Sequence, residues 1–466
     1  MKTRIFSIAT ILVLLISGIS TSSVKAGAYG AQFTTSVTYQ NVGDSNAIIN
    51  LTFYSENSGT GIPITLPELA PLAGTSIYLG SLGDVPSGFK GSAVMASNQP
   101  LVSTMVQVPK AGSGVVVRPM SNGFTGGSNY VLVPTVLKGA FGWNSIVSIQ
   151  NVDSSAADFE LVFVPVSGTP IPVNTTNVPA FATKYYDLAA MASIPAGFNG
   201  SLQVYAKKTG TTNPGLVVAS ALELNITGSG AYAFEGASEF ANKIYMPSAL
   251  CKFNGVNTSS YAVQNTTTAD VSVTVNYSGG SVDGPYILTA GSKRSFNACD
   301  VNADGYIGSA VIDANGNIVA MGKIFGGGLS TAFLGFNGGA EKVAMPYVRW
   351  TTNHWYDGTR QRAYIAIQNV GADLAAGQVK VKYYDKNGAL VGTDTLGVLA
   401  AGAKVNSNAG NVGASASEFG YYADGTFGGS AVVEGPPGAK LAVIVRIQTR
   451  VGAESVAEDY SGIPIQ

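Results

Sequence analysis

Val37-Thr38-Tyr39-Gln40-Asn41 returns three times, as Val147-Ser148-Ile149-Gln150-Asn151, Tyr261-Ala262-Val263-Gln264-Asn265 and Ile365-Ala366-Ile367-Gln368-Asn369, at intervals of 110, 114 and 104 residues. In each copy apolar residues stand one and three positions before the Gln, the period of a strand with one buried face. A turn rich in Gly, Asp, Ser or Thr follows, and then a second alternating run. That run is Ile49, Leu51, Phe53 in the first copy, Val271, Val273, Val275, Tyr277 in the third and Val379, Val381, Tyr383 in the fourth. Apolar and polar residues in strict alternation mark half-buried antiparallel strands, and turns such as Asp385-Lys386-Asn387-Gly388 reverse the chain between them.

A second marker keeps the same register. Aromatic-x-Gly-Ser occurs at Phe89-Lys90-Gly91-Ser92, Phe198-Asn199-Gly200-Ser201, Tyr306-Ile307-Gly308-Ser309 and Phe427-Gly428-Gly429-Ser430, with glycine spacings of 109, 108 and 121 residues. Two markers in the same order four times define an internal repeat. A unit of about 110 residues with short strands, frequent turns and no helical period is an immunoglobulin-like sandwich by size and pattern. The expected fold class is therefore all-β: four tandem Ig-like antiparallel β-sandwich domains over residues 29–129, 130–243, 244–342 and 343–466. The whole of this part resembles the tandem Ig-like modules of bacterial surface and secreted proteins, although no Cys-Trp-Cys signature is present. The resemblance implies extracellular binding or scaffolding, and no particular ligand.

Residues 1–28 read as a signal peptide. Lys2 and Arg4 precede an apolar run over residues 5–19, and Val24-Lys25-Ala26 and Ala26-Gly27-Ala28 have the small-x-small form of a cleavage site. The apolar run is shorter than the ~20 residues that span a bilayer. Export to the cell surface or the extracellular space is expected, with no transmembrane anchor. The chain has only 11% charged residues and 58 glycines. Loss of Lys2, Arg4 and Lys25 takes its formal net charge from −1 to −4. No basic field is left to hold nucleic acid, and weak charge repulsion suits a protein that assembles with itself. In an exported chain Cys251 and Cys299, the only two cysteines, read as one disulfide worth about 4 kcal/mol for a loop of this length.

Val133-Pro134, Met246-Pro247 and Met345-Pro346 stand 16, 17 and 22 residues before the next Gln-Asn. They mark an opening strand, where proline is tolerated at a sheet edge. The same offset from Gln40 falls inside the signal peptide, so the first copy is expected to lack this strand. The chain ends Tyr460-Ser461-Gly462-Ile463-Pro464-Ile465-Gln466, which reads as a spare opening element. Tyr460, Ile463, Pro464 and Ile465 are thus expected to form an assembly tail that completes the first sandwich of a neighbouring molecule; the alternative is a last strand of the fourth unit.

Catalytic patterns are scarce. His354 is the sole histidine, which excludes two-imidazole zinc sites. There is no nucleophile elbow and no phosphate loop, and no enzymatic activity is expected. Asp300-Val301-Asn302-Ala303-Asp304-Gly305 alternates oxygen ligands as a calcium loop does, but position twelve is Val311 and flanking helices are not expected. Asp300, Asn302 and Asp304 remain the metal candidates, with calcium the only cofactor in question. Trp350, His354, Trp355, Tyr356 and Arg360 concentrate aromatic and basic groups within residues 349–362. They read either as a glycan-stacking or interface anchor or as packing at the junction of the third and fourth units. The leading functional reading is an exported structural protein that self-assembles into a filament or surface layer; the alternative is an adhesin or carbohydrate-binding protein that recognises surface glycans.

Overall fold

The computed structural model describes residues 33–110, 112–226, 230–354, 358–413, 418–451 and 454–465. The expected signal peptide, Trp355 and Tyr356 lie outside them, as does the side chain of His354. The described chain is almost wholly antiparallel β-structure, with helix limited to short 3-10 turns. Among the described residues no helix is long and apolar enough to cross a membrane.

The second copy shows the plan. Its leading strand Tyr130–Lys138 is followed by Trp143–Asn151, Ala157–Pro165, Ile171–Val178, Thr183–Asp187, Phe198–Lys208, Val217–Asn225 and the closing strand Ala231–Glu235. One layer runs fourth, third, sixth, leading; the other runs fifth, second, seventh, closing. Phe159, Leu161 and Phe163 alternate inward from the third strand, against Val147 and Ile149 of the second and Leu202 and Val204 of the sixth. This is a sandwich, but its strand order departs from the immunoglobulin pattern expected from size and turns. In that pattern the sixth and seventh strands pair with each other. Here they lie in opposite layers, because the leading strand takes the place beside the sixth.

The third and fourth copies repeat the order. In the third, a single strand, Tyr306–Gly326, serves as both sixth and seventh. Its first half pairs with Ala241–Cys251 and Val271–Tyr277, its second half with Thr258–Asn265 and Leu329–Leu334. In the fourth copy the leading strand Lys342–Met345 pairs with Gly429–Glu434.

The first copy has the second to seventh strands (Phe33–Asn41, Ile49–Ser55, Gly61–Thr65, Gly74–Tyr78, Gly91–Ser97 and Leu101–Pro109) and a short closing strand, Met120–Asn122. Among the described residues nothing occupies the leading position, and Gly91–Ser97 pairs on one side only, with Ile49–Ser55. The buried cluster of this copy shrinks to Tyr39, Ala47, Ile49, Leu51, Phe53, Leu66, Leu69 and Ala73.

Gln-Asn fixes the same corner four times. The Asn amide donates to one carbonyl in the following loop and one at or just past the end of the fourth strand: Ser45 and Leu69 from Asn41, Ser155 and Val178 from Asn151, Ala269 and Leu288 from Asn265, Ala372 and Leu399 from Asn369. Each Asn carboxamide oxygen accepts the backbone N–H two residues on, closing an Asx turn. The motif recurs because buried carbonyls at this bend need a side-chain donor.

Candidate assembly interface

The four copies do not form a string of separate beads. Ser92 Oγ donates to Phe181 O in the second copy at 3.3 Å, Ser309 Oγ to Gly402 O in the fourth at 3.3 Å, and Ser430 Oγ to Leu72 O in the first at 3.3 Å. The serine of aromatic-x-Gly-Ser thus reaches the next copy, and from the fourth copy it returns to the first. Each acceptor carbonyl also receives its own copy's motif glutamine: Gln40 to Leu72 at 3.2 Å, Gln150 to Phe181 at 3.1 Å, Gln368 to Gly402 at 3.5 Å. The acceptor residue is left-handed in all four copies, with φ of 61° at Leu72 and Phe181, 69° at Gly291 and 74° at Gly402. That conformation is natural for glycine and uncommon for leucine or phenylalanine.

At the seam between the second and third copies the serine contact is replaced. Lys293 enters, donating to Thr135 Oγ1 at 3.1 Å, Asn199 Oδ1 at 2.9 Å and Gly200 O at 2.9 Å. Burial, and secondarily the charge of Lys323, lowers its pKa to about 7. Lys293 also borders a half-open cleft of about 280 Å³ lined by Asn199, Ser292, Arg294 and Ser295. The Arg294 guanidinium lies 3.6 Å over the Tyr286 ring and is partly committed to it.

The closing strands meet at the centre. Leu329 pairs in parallel with Ala457, Thr331 Oγ1 donates to Asp459 at 2.9 Å, and Asp459 is held by Arg446 at 2.8 Å. Glu235 of the second copy accepts the backbone N–H of Asn122, whose side chain donates to Ser461 O at 2.7 Å. Lys323 pairs with Glu223 across the second seam. At the seam from fourth to first, Arg118 Nε lies 2.7 Å from Glu458 Oε1, with both side chains almost wholly buried. Burial pushes the Glu458 carboxyl above its ordinary value, and Arg118 opposes that shift. Val106 and Met120 of the first copy join the core of the fourth. The contacts thus run from the first copy through the second, third and fourth and back to the first, with charge pairs where the closing strands converge.

The candidates from sequence fall as follows. Cys251 and Cys299 form a disulfide with Cα atoms 4.8 Å apart. Of the metal candidates Asp300, Asn302 and Asp304, the Asn302 amide donates to Ala298 O at 2.7 Å, and Asp304 faces Lys252 at 3.1 Å. Among the described residues no group of three His, Cys, Asp or Glu side chains is placed to hold a metal ion. Trp350 packs inside the fourth copy, edge-on to Tyr364 at 6.0 Å and under the Arg362 guanidinium at 4.6 Å. Arg360 is exposed on Thr359–Asn369. Arg349, which opens this stretch, is 1% exposed and donates to Ser76 Oγ of the first copy at 3.3 Å. The stretch therefore reaches the first copy across the ring seam, a direction that spacing along the chain does not reveal.

The tail lies in cis. Ile463–Ile465 pairs with Lys342–Ala344 of its own fourth copy, and Tyr460 is 2% exposed, its hydroxyl donating to Tyr347 O at 2.8 Å. It is a closing strand, not the spare opening element suggested by Ile463-Pro464. Its counterparts are Phe234-Glu235-Gly236-Ala237 and Phe333-Leu334-Gly335-Phe336. Gly236, Gly335 and Gly462 donate to Ala219, Ala320 and Val443 at 2.8, 2.9 and 2.8 Å, and Gly123 to Ser103 at 2.9 Å. The sequence carries this fourth marker as a glycine two residues after an aromatic in three copies, a signal of the closing strand that the Gln-Asn and Gly-Ser motifs do not contain.

No known protein family matches the chain, and no curated protein is similar to it in sequence. Among solved structures there is a match to the tetra-tandem repeat in the extending region of a large adhesion protein. The match covers 92% of this chain and 94% of that one at 10% identity, with a TM-score of 0.11, a likeness too low to carry an argument about fold or function.

Proposed function

We propose that the protein is an exported, non-enzymatic structural component of the cell surface whose working unit is the closed four-sandwich ring. The observation that carries this is the serine-to-carbonyl contact repeated from copy to copy and returning from Ser430 to Leu72. Such a ring commits its conserved-in-repeat polar groups to internal contacts rather than to a substrate. The buried charges Arg118, Glu458 and Asp459 are paired across or beside the seams, and the buried Arg349 donates to Ser76 of the first copy. The Trp350 ring, the best platform for a sugar on sequence grounds, is occupied by Arg362 and Tyr364, which favours the structural reading over a glycan-binding adhesin.

Assembly through the tail would require Ile463–Ile465 to leave Lys342–Ala344. The unpaired side of Gly91–Ser97 is the more direct contact point. Fractionation of producing cells, with immunogold labelling of intact ones, tests the reading. Label on the outer surface, and protein recovered in the envelope or medium with residues 1–28 removed, is the expected result; full-length protein confined to the cytosol would overturn it.

A further inference from the structure

We propose that the side of Gly91–Ser97 left unpaired among the described residues is a docking slot for one extended strand from a different polypeptide, of the pattern Val/Ile-x-Val/Met-Pro. This goes beyond the structural role above and does not depend on where the protein resides.

The other three copies show what the slot accepts. On the sixth strand of each, the residue after Gly-Ser faces a leading-strand residue: Leu202 faces Val133, Ala310 faces Met246 and Ala431 faces Met345. Two positions on, Val204 faces Val131, Ile312 faces Ile244 and Val433 faces Val343. All twelve side chains are buried. The equivalents in the first copy are Ala93 and Met95. Ala93 stands directly opposite Phe53, a core residue 1% exposed, and so points to the core face. Yet Ala93 itself is exposed and Met95 only half-buried. An inward-facing residue open to solvent is what a sandwich shows when one strand is absent from its register.

The closing strand forms the far wall. In the second and fourth copies a Cβ on its glycine would strike the leading strand: Gly236 at 2.6 Å from Val131 Cγ1 and Gly462 at 2.5 Å from Val343 Cγ1. In the first copy the three atoms nearest a Cβ on Gly123 all belong to Ser103 of the neighbouring seventh strand, and Phe124 beyond it is 41% exposed.

The slot is also unguarded. The outer edge strands of the four copies carry Pro63, Pro172, Asp283 with Pro285, and Asp394, the devices that block strand addition. Gly91-Ser92-Ala93-Val94-Met95-Ala96-Ser97 has neither charge nor proline. A second copy is a poor donor, because its three leading strands and its tail are already paired within the ring. The residues of this chain at the leading offset from Gln40, Ser20 to Ala28, have Val24, Ala26 and Ala28 as their only apolar members and contain no Val/Ile-x-Val/Met-Pro. The donor is therefore a separate protein that presents such a segment, gripped by backbone hydrogen bonds along Gly91–Ser97 with its two apolar side chains over Ala93 and Met95.

The test uses the mature chain and a fluorescent peptide of residues 130–138, Tyr-Val-Leu-Val-Pro-Thr-Val-Leu-Lys, followed by anisotropy. Saturable binding of one peptide per chain is expected. It should weaken at least tenfold when the peptide carries Val131→Asp and Val133→Asp, and likewise in Ala93→Asp protein. Since Ala93 is exposed, unchanged thermal melting of that variant will show that it folds. Absence of saturable binding, binding indifferent to Ala93→Asp, or more than one peptide per chain would overturn the proposal. So would a mature chain that dimerises through this edge in sedimentation and excludes the peptide, since the occupant would then be a second copy. None of these outcomes bears on surface location, so failure here and failure of the structural reading remain distinguishable.

Discussion

At the scale of single residues, the closing-strand glycine separates the complete copies from the first. Alanine at Gly462 would place Cβ 2.5 Å from Val343 Cγ1 and 3.0 Å from Val443 Cβ, both in a packed core with no room to retreat. Overpacking of this kind costs about 1–3 kcal/mol. Alanine at Gly123 would meet the Ser103 hydroxyl, which can rotate away, so its cost should stay below about 1 kcal/mol. Urea unfolding of the two variants checks the contrast; equal losses would mean that the first copy is as tightly closed as the fourth. Lys293 supplies a pH signature. Its pKa in the fold, about 7, lies below the ordinary lysine value of 10.5. Between those values the unfolded chain holds a proton that the fold does not, so this residue makes stability rise with pH across that window. Buried tyrosines act oppositely only above pH ~10, where the unfolded chain loses their protons first. Melting temperatures from pH 7 to 9 should therefore climb more steeply in the wild type than in Lys293→Met, and identical slopes would refute the assignment. Gly462 is legible as the glycine two residues after an aromatic that recurs in three copies, whereas Lys293 has no such signal. The motif glutamines and asparagines were legible because they repeat; Lys293 matters because it breaks the repeat, replacing a serine contact by insertion at one seam.

Among the elements, alternation in runs such as Val271–Tyr277 and the Gly-Ser register located strands well, because burial on one face imposes period two wherever a sheet covers a core. Pairing partners were less legible. The immunoglobulin-like size and turns did not reveal that the sixth and seventh strands part company, since alternation records burial and not the neighbour that provides it. The tail illustrates the same limit: Ile463-Pro464 resembles Val133-Pro134 in composition, but Gly462 before it and Tyr460 two residues earlier place it as a closing strand. A chain ending at Asp459 should accordingly lose stability within the monomer. It forfeits the buried Tyr460 ring, its hydrogen bond to Tyr347 O and the strand beside Lys342–Ala344. Removal of a core aromatic of this size costs about 3–5 kcal/mol. Scanning calorimetry of the truncated and full chains decides the matter: an unchanged melting profile would show that the tail contributes nothing in cis and would return it to the role of a free assembly strand.

The whole molecule turns on one seam. Chain continuity tethers the first copy to the second, the second to the third and the third to the fourth, whereas the fourth meets the first through non-covalent contacts alone: Ser430 to Leu72, Arg349 to Ser76, Arg118 to Glu458 and Asn122 to Ser461. Because the tether already holds the two ends near each other, modest contacts suffice to keep the ring closed. The buried Arg118–Glu458 pair is the sensitive element, since a buried charge that loses its partner costs about 3–5 kcal/mol. Arg118→Glu sets two carboxylates against each other there, and the ring should open at that seam while the four cores persist. The shape change is large enough to measure. A compact chain of 466 residues has a radius of gyration of about 23 Å, whereas four sandwiches in line, each about 35 Å long from strands of nine to eleven residues, would give about 40 Å. Small-angle scattering of the protein should return a value near the lower figure, and Arg118→Glu should move it toward the higher one with little change in far-ultraviolet circular dichroism. A wild type already near the higher figure would show that the copies behave as a rod, and the serine contacts at the seams would then lose the significance given to them.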